Sequence, residues 1–437
     1  MRKFLLPAFA LVLIAPAAAQ DMSGMDMSGG MSEMDMGDGM GRMAMSADMD
    51  MSKAALGSYP MTREASGTSW QPQAAPMSGI MQMPSVFGDA WMVMLQGRMS
   101  GILDSQSGPR GASMAYESGM GMVMATRQFT RDDTLGLRAM ISLDPFIGRR
   151  GYPLLLASGE TANGVTPLVD RQHPHDLLME LAATYSHSFN SVDSLFVYAG
   201  DPGEPALGPT PYMHRLSGQD DPATPIAHHW LDSTHVTFGV ATLGLVHDGW
   251  KLEASQFTGR EPDQHRFNFD PARFDSTSVR LTYNPGANWS LQVSQGFLKS
   301  PEQLTPAQNE NRITASASWY QQFGFGALAT TAAFGNKRLS NGVNESAGLV
   351  ESEFKPADAW TIFARAETIA SDELVPGGKV RIADEITLGV IHDWRLADHL
   401  KAGLGGLYTF DFAPSSPTAP YGGSPHGAMA FLRLLAS

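Results

Sequence analysis

The chain has no cysteine among its 437 residues. That excludes disulfides and thiolate metal sites together, and leaves histidine, methionine and carboxylates as the side chains with metal chemistry. Nothing approaches the ~18 consecutive apolar residues that a helical membrane span needs. Charge is scarce at 17%, and positive charge scarcer: 30 Lys and Arg stand against 44 Asp and Glu, for a net charge of −14. So little positive charge excludes a nucleic-acid binder, whereas an acidic chain attracts cations. The apolar run that does exist is short. Phe4 to Ile14 lies between Arg2-Lys3 and Ala17-Ala18-Ala19, the order of a secretory signal peptide over residues 1–19, which is set aside from fold reasoning.

Methionine dominates the segment after the leader. Residues 21–52 carry Met22, Met25, Met27, Met31, Met34, Met36, Met40, Met43, Met45, Met49 and Met51, separated by Ser, Gly and Asp. Such spacers build no core, so residues 20–52 are expected as a disordered arm. Low-complexity segments drift toward Ser, Gly, Pro or Glu rather than Met. A thioether is a soft ligand that suits Cu(I), and the arm is read as a Cu(I)-binding tract rather than an accidental linker. Residues 53–87 read as a true linker.

Residues 88–437 read as strands from end to end. Leu135, Leu137, Ala139, Ile141 and Leu143 alternate with Arg138, Ser142 and Asp144. Period-two alternation means one apolar and one polar face. Sixteen candidates fall near 90–103, 114–128, 134–145, 176–189, 193–200, 233–247, 249–259, 275–284, 288–298, 311–322, 325–335, 345–355, 358–369, 382–395, 399–411 and 426–435. Tight turns close alternate pairs, and the other links are longer, the longest over 146–175 and 201–232. An even strand count with alternating short and long links is the pattern of an outer-membrane barrel. The expectation is all-β: a transmembrane antiparallel β-barrel of about 16 strands, with the arm in the periplasm. Trp91, Phe129, Tyr185, Trp250, Trp289, Trp360 and Trp394 fall near strand ends, as interfacial girdles do.

Histidines cluster in the long loops. Asp-Arg-Gln-His-Pro-His-Asp holds His173, His175 and Asp176; Met-His-Arg holds His214; His-His-Trp-Leu-Asp-Ser-Thr-His holds His228, His229, Asp232 and His235. The fourth long loop adds Glu261, Asp263 and His265. Neutral imidazoles beside carboxylates suit Cu(II) or Zn(II). The same residues also suit a structural network, because Arg171, Arg215, Arg260 and Arg266 are there to pair with the acids. The sequence leaves both open. Met120, Met122 and Met124 share one face of the second strand and read as lipid-facing; the alternative is a thioether track along the lumen. No nucleophile elbow marks a hydrolase, and no enzyme is expected.

A leader, a periplasmic Met- and Asp-rich arm and an acidic barrel together resemble the outer-membrane copper resistance protein B type. The arm differs from the family's usual mixture in holding no His. The resemblance implies copper sequestration or export, with outer-membrane lipid, copper ions and periplasmic copper proteins as partners. The alternative is a porin-like channel for small solutes with no metal role; a barrel hydrolase stands behind both.

Overall fold

The computed structural model describes residues 53–83, 91–375, 377, 379–416 and 420–437. The leader and the methionines from Met22 to Met51 lie outside the described residues. The strands are β1 (Ile80–Gln82), β2 (Met92–Gln106), β3 (Ser113–Gln128), β4 (Asp133–Ser142), β5 (Tyr152–Ser158), β6 (Val169–Gln172), β7 (Leu178–Ser188), β8 (Asp193–Gly200), β9 (Val240–His247) and β10 (Trp250–Phe257). They continue with β11 (Ser276–Tyr283), β12 (Trp289–Leu298), β13 (Glu310–Phe323), β14 (Gly326–Leu339), β15 (Asn344–Ala357), β16 (Trp360–Ser371), β17 (Arg381–Ala397), β18 (Leu400–Phe412) and β19 (His426–Ala436).

Sixteen of these close into one antiparallel barrel. Each pairs with the next, and β19 returns to β2 from Gly427↔Gln106 to Ala436↔Gly97. Strand β1 continues that edge, pairing Ile80 with Leu95 where β19 has ended. The barrel strands are the sixteen expected from alternation. The long links carry one exception: 340–343 is itself a tight turn. Short turns and the described chain ends share one side, as Ser437 N–H donates to His399 O and Lys53 Nζ to Arg131 O.

Alternation sorts the wall into two faces. Leu137, Ile141, Leu181, Leu243, Val279, Val293, Ile313, Val350, Leu388 and Leu432 point outward and exposed. Phe129, Tyr185, Trp250, Trp289, Trp360 and Trp394 ring the short-turn end, and Phe146, Phe267, Phe297, Phe410 and Phe412 the other. An apolar band between aromatic girdles is a surface built for hydrocarbon. The inner face carries Arg138, Lys251, Glu253, Arg280, Arg312, Glu351, Arg365 and Arg433, all buried.

Those charges are buried because the chain fills its own lumen. Within the segment expected as a linker over 53–87, residues 53–75 enter the short-turn end of the barrel: Ala54, Leu56, Tyr59 and Trp70 pack on Phe196 and Val246, and Arg280 donates to Thr68 Oγ1 at 2.8 Å. Its polar composition concealed this, because the wall supplies the partners. From the other end come the connections 143–177, holding the β5–β6 hairpin, and 201–239, holding the short helix His228–Leu231. Leu155, Leu156, Ile226, Trp230 and Leu231 pack on Ala333, Leu349 and Ile369 of the wall. A Cβ on Gly335 would stand 2.4 Å from Trp230 O, so only glycine lets that helix lie against β14.

Ion pairs fix the plug to the wall. Asp220 meets Arg433 at 2.5 Å, Lys355 at 2.8 Å and Arg98 at 3.1 Å. Asp221 meets Arg365 at 3.0 Å. Removing one partner of a buried pair costs about 3–5 kcal/mol, because the other charge is left uncompensated. Asp220→Asn should therefore leave the barrel intact, still compact on an unheated detergent gel, while exposing Arg215 to trypsin. A variant as resistant to cleavage as the wild type would show that these pairs do not hold the loop.

Candidate metal and binding site in the lumen plug

The two long inward loops bring five histidines into one chain of rings. Ring centroids stand 5.5 Å apart for His173–His229, 5.3 Å for His228–His229, 5.2 Å for His228–His235 and 5.0 Å for His175–His235. All five are buried. His214 is not part of this chain: it faces a small void beside Trp70 and Thr210. Burial, and then Arg98 and Arg138, push its pKa down to about 4.

Asp232 organises the cluster. Its Oδ1 accepts from His228 Nδ1 at 2.6 Å, its backbone carbonyl accepts from His235 Nδ1 at 2.7 Å, and its Oδ2 accepts from Arg215 Nη1 and Tyr212 N, both at 2.9 Å. Arg215 also grips Glu351 of β15 at 2.5 Å, so the barrel wall orients Asp232, and Asp232 orients two imidazoles. Burial raises a carboxylate, yet the His228 ring and Arg215 hold Asp232 well below the usual carboxylate range. Asp144 does for His175 what Asp232 does for His228, at 2.6 Å. Asp176 is committed elsewhere: it pairs with Arg266 at 2.9 Å, and burial raises its pKa to about 6. Of the other arginines, Arg171 binds the carbonyls of Arg150 and Gly151, and Arg260 binds Ser300.

The tautomers are set by the acceptors. A carboxylate or carbonyl has no proton to give, so Nδ1 of His175, His228 and His235 must donate, and in a neutral ring the lone pair then lies on Nε2. The Nε2 atoms of His173, His175, His229 and His235 are buried without a hydrogen-bond partner. Burial lowers the pKa of His173, His228 and His235, and neighbouring Arg266 and His229 lower His173 further. These three rings are neutral at pH 7, the form that ligates metal. His173, His229 and Glu261 offer ligand atoms within 4.8 Å of one another.

Beside the histidines lies a cavity of about 80 Å³, lined by His175, Asp144, Tyr212 and Asp220 and by Met120, Met179 and Met213. Met120, Met122 and Met213 pack against Met140, Met179 and Val236 inside the barrel. This corrects the lipid-facing expectation for Met120 and Met122. The outward residue of this stretch is Val123, and methionine, apolar but polarizable, is at home on either face. Met179 reaches the cavity through a bulge, since Ile141 pairs with Leu178 and Met140 with Glu180. The residues that sequence reasoning left out of the site are Asp144 and Tyr212, which nothing local marks, whereas Glu261, noted in the fourth long loop, does meet His173 and His229.

No family model matches the chain, and no curated protein does. Solved structures do. OmpF of Salmonella typhi, in complex with daunomycin, is 10% identical with a TM-score of 0.52, over 82% of this chain and 100% of that one. The anion-selective porin from Comamonas acidovorans and a loop-deletion mutant of OmpT, an outer membrane protein of Vibrio cholerae, are each 10% identical with a TM-score of 0.46, over 79% of this chain and 99% of theirs. At this identity the OmpF likeness is one of fold: the chain shares a closed antiparallel barrel with OmpF.

Proposed function

We propose that this chain is a bacterial outer-membrane barrel of the porin type whose passage for small solutes is closed at rest by its own loops. The observation that carries this is the buried charge lattice between plug and wall, at Asp220, Asp221 and Arg215. The polar inner wall is that of a solute path, and the plug occupies it. The cavity left beside the plug, about 80 Å³, is far short of an open pore. Passage then requires the loops to move. The reading assigns no catalysis. In planar bilayers the wild type should be nearly silent, and Asp220→Asn combined with Asp221→Asn should give frequent openings. Steady large conductance from the wild type would refute the closed state; silence from both proteins at every voltage would refute the passage.

A second reading is copper capture for sequestration or export, with copper ions and periplasmic copper proteins as partners. It is favoured by the thioethers of Met120, Met179 and Met213 sharing one cavity with His175. In this reading the methionines of residues 20–52 collect Cu(I) in the periplasm. A peptide spanning residues 21–52 should take Cu(I) from a weak chelator and ignore Zn(II). No competition for Cu(I) would remove the arm from the argument.

A further inference from the structure

Three separate connections, 143–177, 201–239 and 258–275, bring His173, His229 and Glu261 to one buried point. His173 Nε2 stands 3.9 Å from Glu261 Oε2, and His229 Nδ1 stands 3.7 Å from Glu261 Oε1. These separations are too long for hydrogen bonds. They are close to what a shared ion requires, because ligands at about 2.0–2.2 Å from a tetrahedral centre lie ~3.3–3.6 Å apart. His173 Nε2, the atom that faces Glu261 Oε2, has no hydrogen-bond partner, although burial makes an unmet polar atom costly. A purely structural cluster would have closed these gaps.

We infer that His173, His229 and Glu261 bind one divalent transition-metal ion of the Zn(II) or Cu(II) class, with a fourth coordination position open. Two imidazoles and a carboxylate are the ligand set of borderline ions; Mg(II) and Ca(II) take oxygen, and Cu(I) takes thioethers. His173 Nδ1 faces Pro174 O at 3.3 Å, which turns the opposite nitrogen toward Glu261. The nearby cations do not forbid an ion, since Arg266 is paired with Asp176 and Arg312 with Glu310. Room for the ring is kept by Gly159: at φ +117° its Cβ would stand 2.9 Å from His229 Nδ1. The next ring, His228, lies 5.3 Å from His229. The inference holds whether or not the barrel conducts, and it does not involve the methionine arm.

The full chain, purified in detergent and stripped with a chelator, tests it. Zn(II) is the probe, because thioethers of the arm bind it poorly. Calorimetric titration should show one site per chain, and X-ray absorption of the Zn(II)-loaded protein should show nitrogen and oxygen ligands at about 2.0–2.2 Å. Glu261→Gln and His229→Gln should each weaken Zn(II) binding by about tenfold or more, the scale of loss when metal-site partners are removed. Cu(II) in the wild-type site should show imidazole nitrogen couplings by electron paramagnetic resonance that His229→Gln reduces. The heat-dependent gel shift reports whether each variant still folds. Gly159→Ala, which leaves all three ligands in place but crowds His229, should weaken binding as well. No Zn(II) binding by the wild type, or binding unchanged in folded Glu261→Gln and His229→Gln, would overturn the site. Bilayer conductance is read separately, so failure of the passage leaves this result standing.

Discussion

The Glu351–Arg215–Asp232 chain is the constraint on which the interior depends. A barrel that seals its lumen puts its inner wall under the rule of any protein core, that a buried charge needs a partner. Arg215 is 3% exposed and sits between a wall carboxylate and a loop carboxylate. Glu351 therefore sets where connection 201–239 can lie. Asp232, held by Arg215, then sets the orientation of His228 and His235. The histidine geometry is thus decided by a residue on β15 that touches no histidine.

Charge does not by itself hold the plug in. Buried ion pairs are close to neutral in net stability once desolvation is counted. The apolar contacts are not: burying a large aliphatic or aromatic side chain is worth ~1.5–3 kcal/mol, and Leu155, Ile226, Trp230 and Leu231 are all at or below 1% exposed. Four such side chains give roughly 6–12 kcal/mol as an upper estimate. The hydrophobic effect seats the plug, and the ion pairs select one position for it. The wall is shaped for both tasks, with Ala333, Ala347 and Gly335 making a shallow apolar recess beneath the helix at His228–Leu231.

The barrel was legible in the amino-acid order because lipid outside and polar groups inside impose a strict period of two, visible in strands such as β9, where residues alternate buried and exposed from Val240 to His247. The plug was not, because its signal is not local. Residues 53–75 look like a linker, and only the wall at Phe196, Lys251 and Arg280 makes them a packed segment. β5 is buried at every position and so has no alternation to read. The histidine-rich phrases marked the right loops, since His173, His175, His228, His229 and His235 come together. Tyr212 and Asp144 are polar residues like many others until the fold brings Tyr212 N to Asp232 and Asp144 to His175.

A site assembled from three connections has a thermodynamic consequence. Whatever binds at His173, His229 and Glu261 binds only the arrangement in which the three loops are docked, so it stabilises that arrangement by mass action. The coupling is reciprocal. Any movement of 201–239 that widened the lumen would carry His229 away from Glu261 and weaken binding by the same factor. Asp220 and Asp221 lie in the same connection as His229, and their partners Arg433 and Arg365 lie on the wall. The salt bridges between plug and wall and the imidazole of His229 therefore belong to one connection, and a ligand held by His229 would favour the docked position that those salt bridges select.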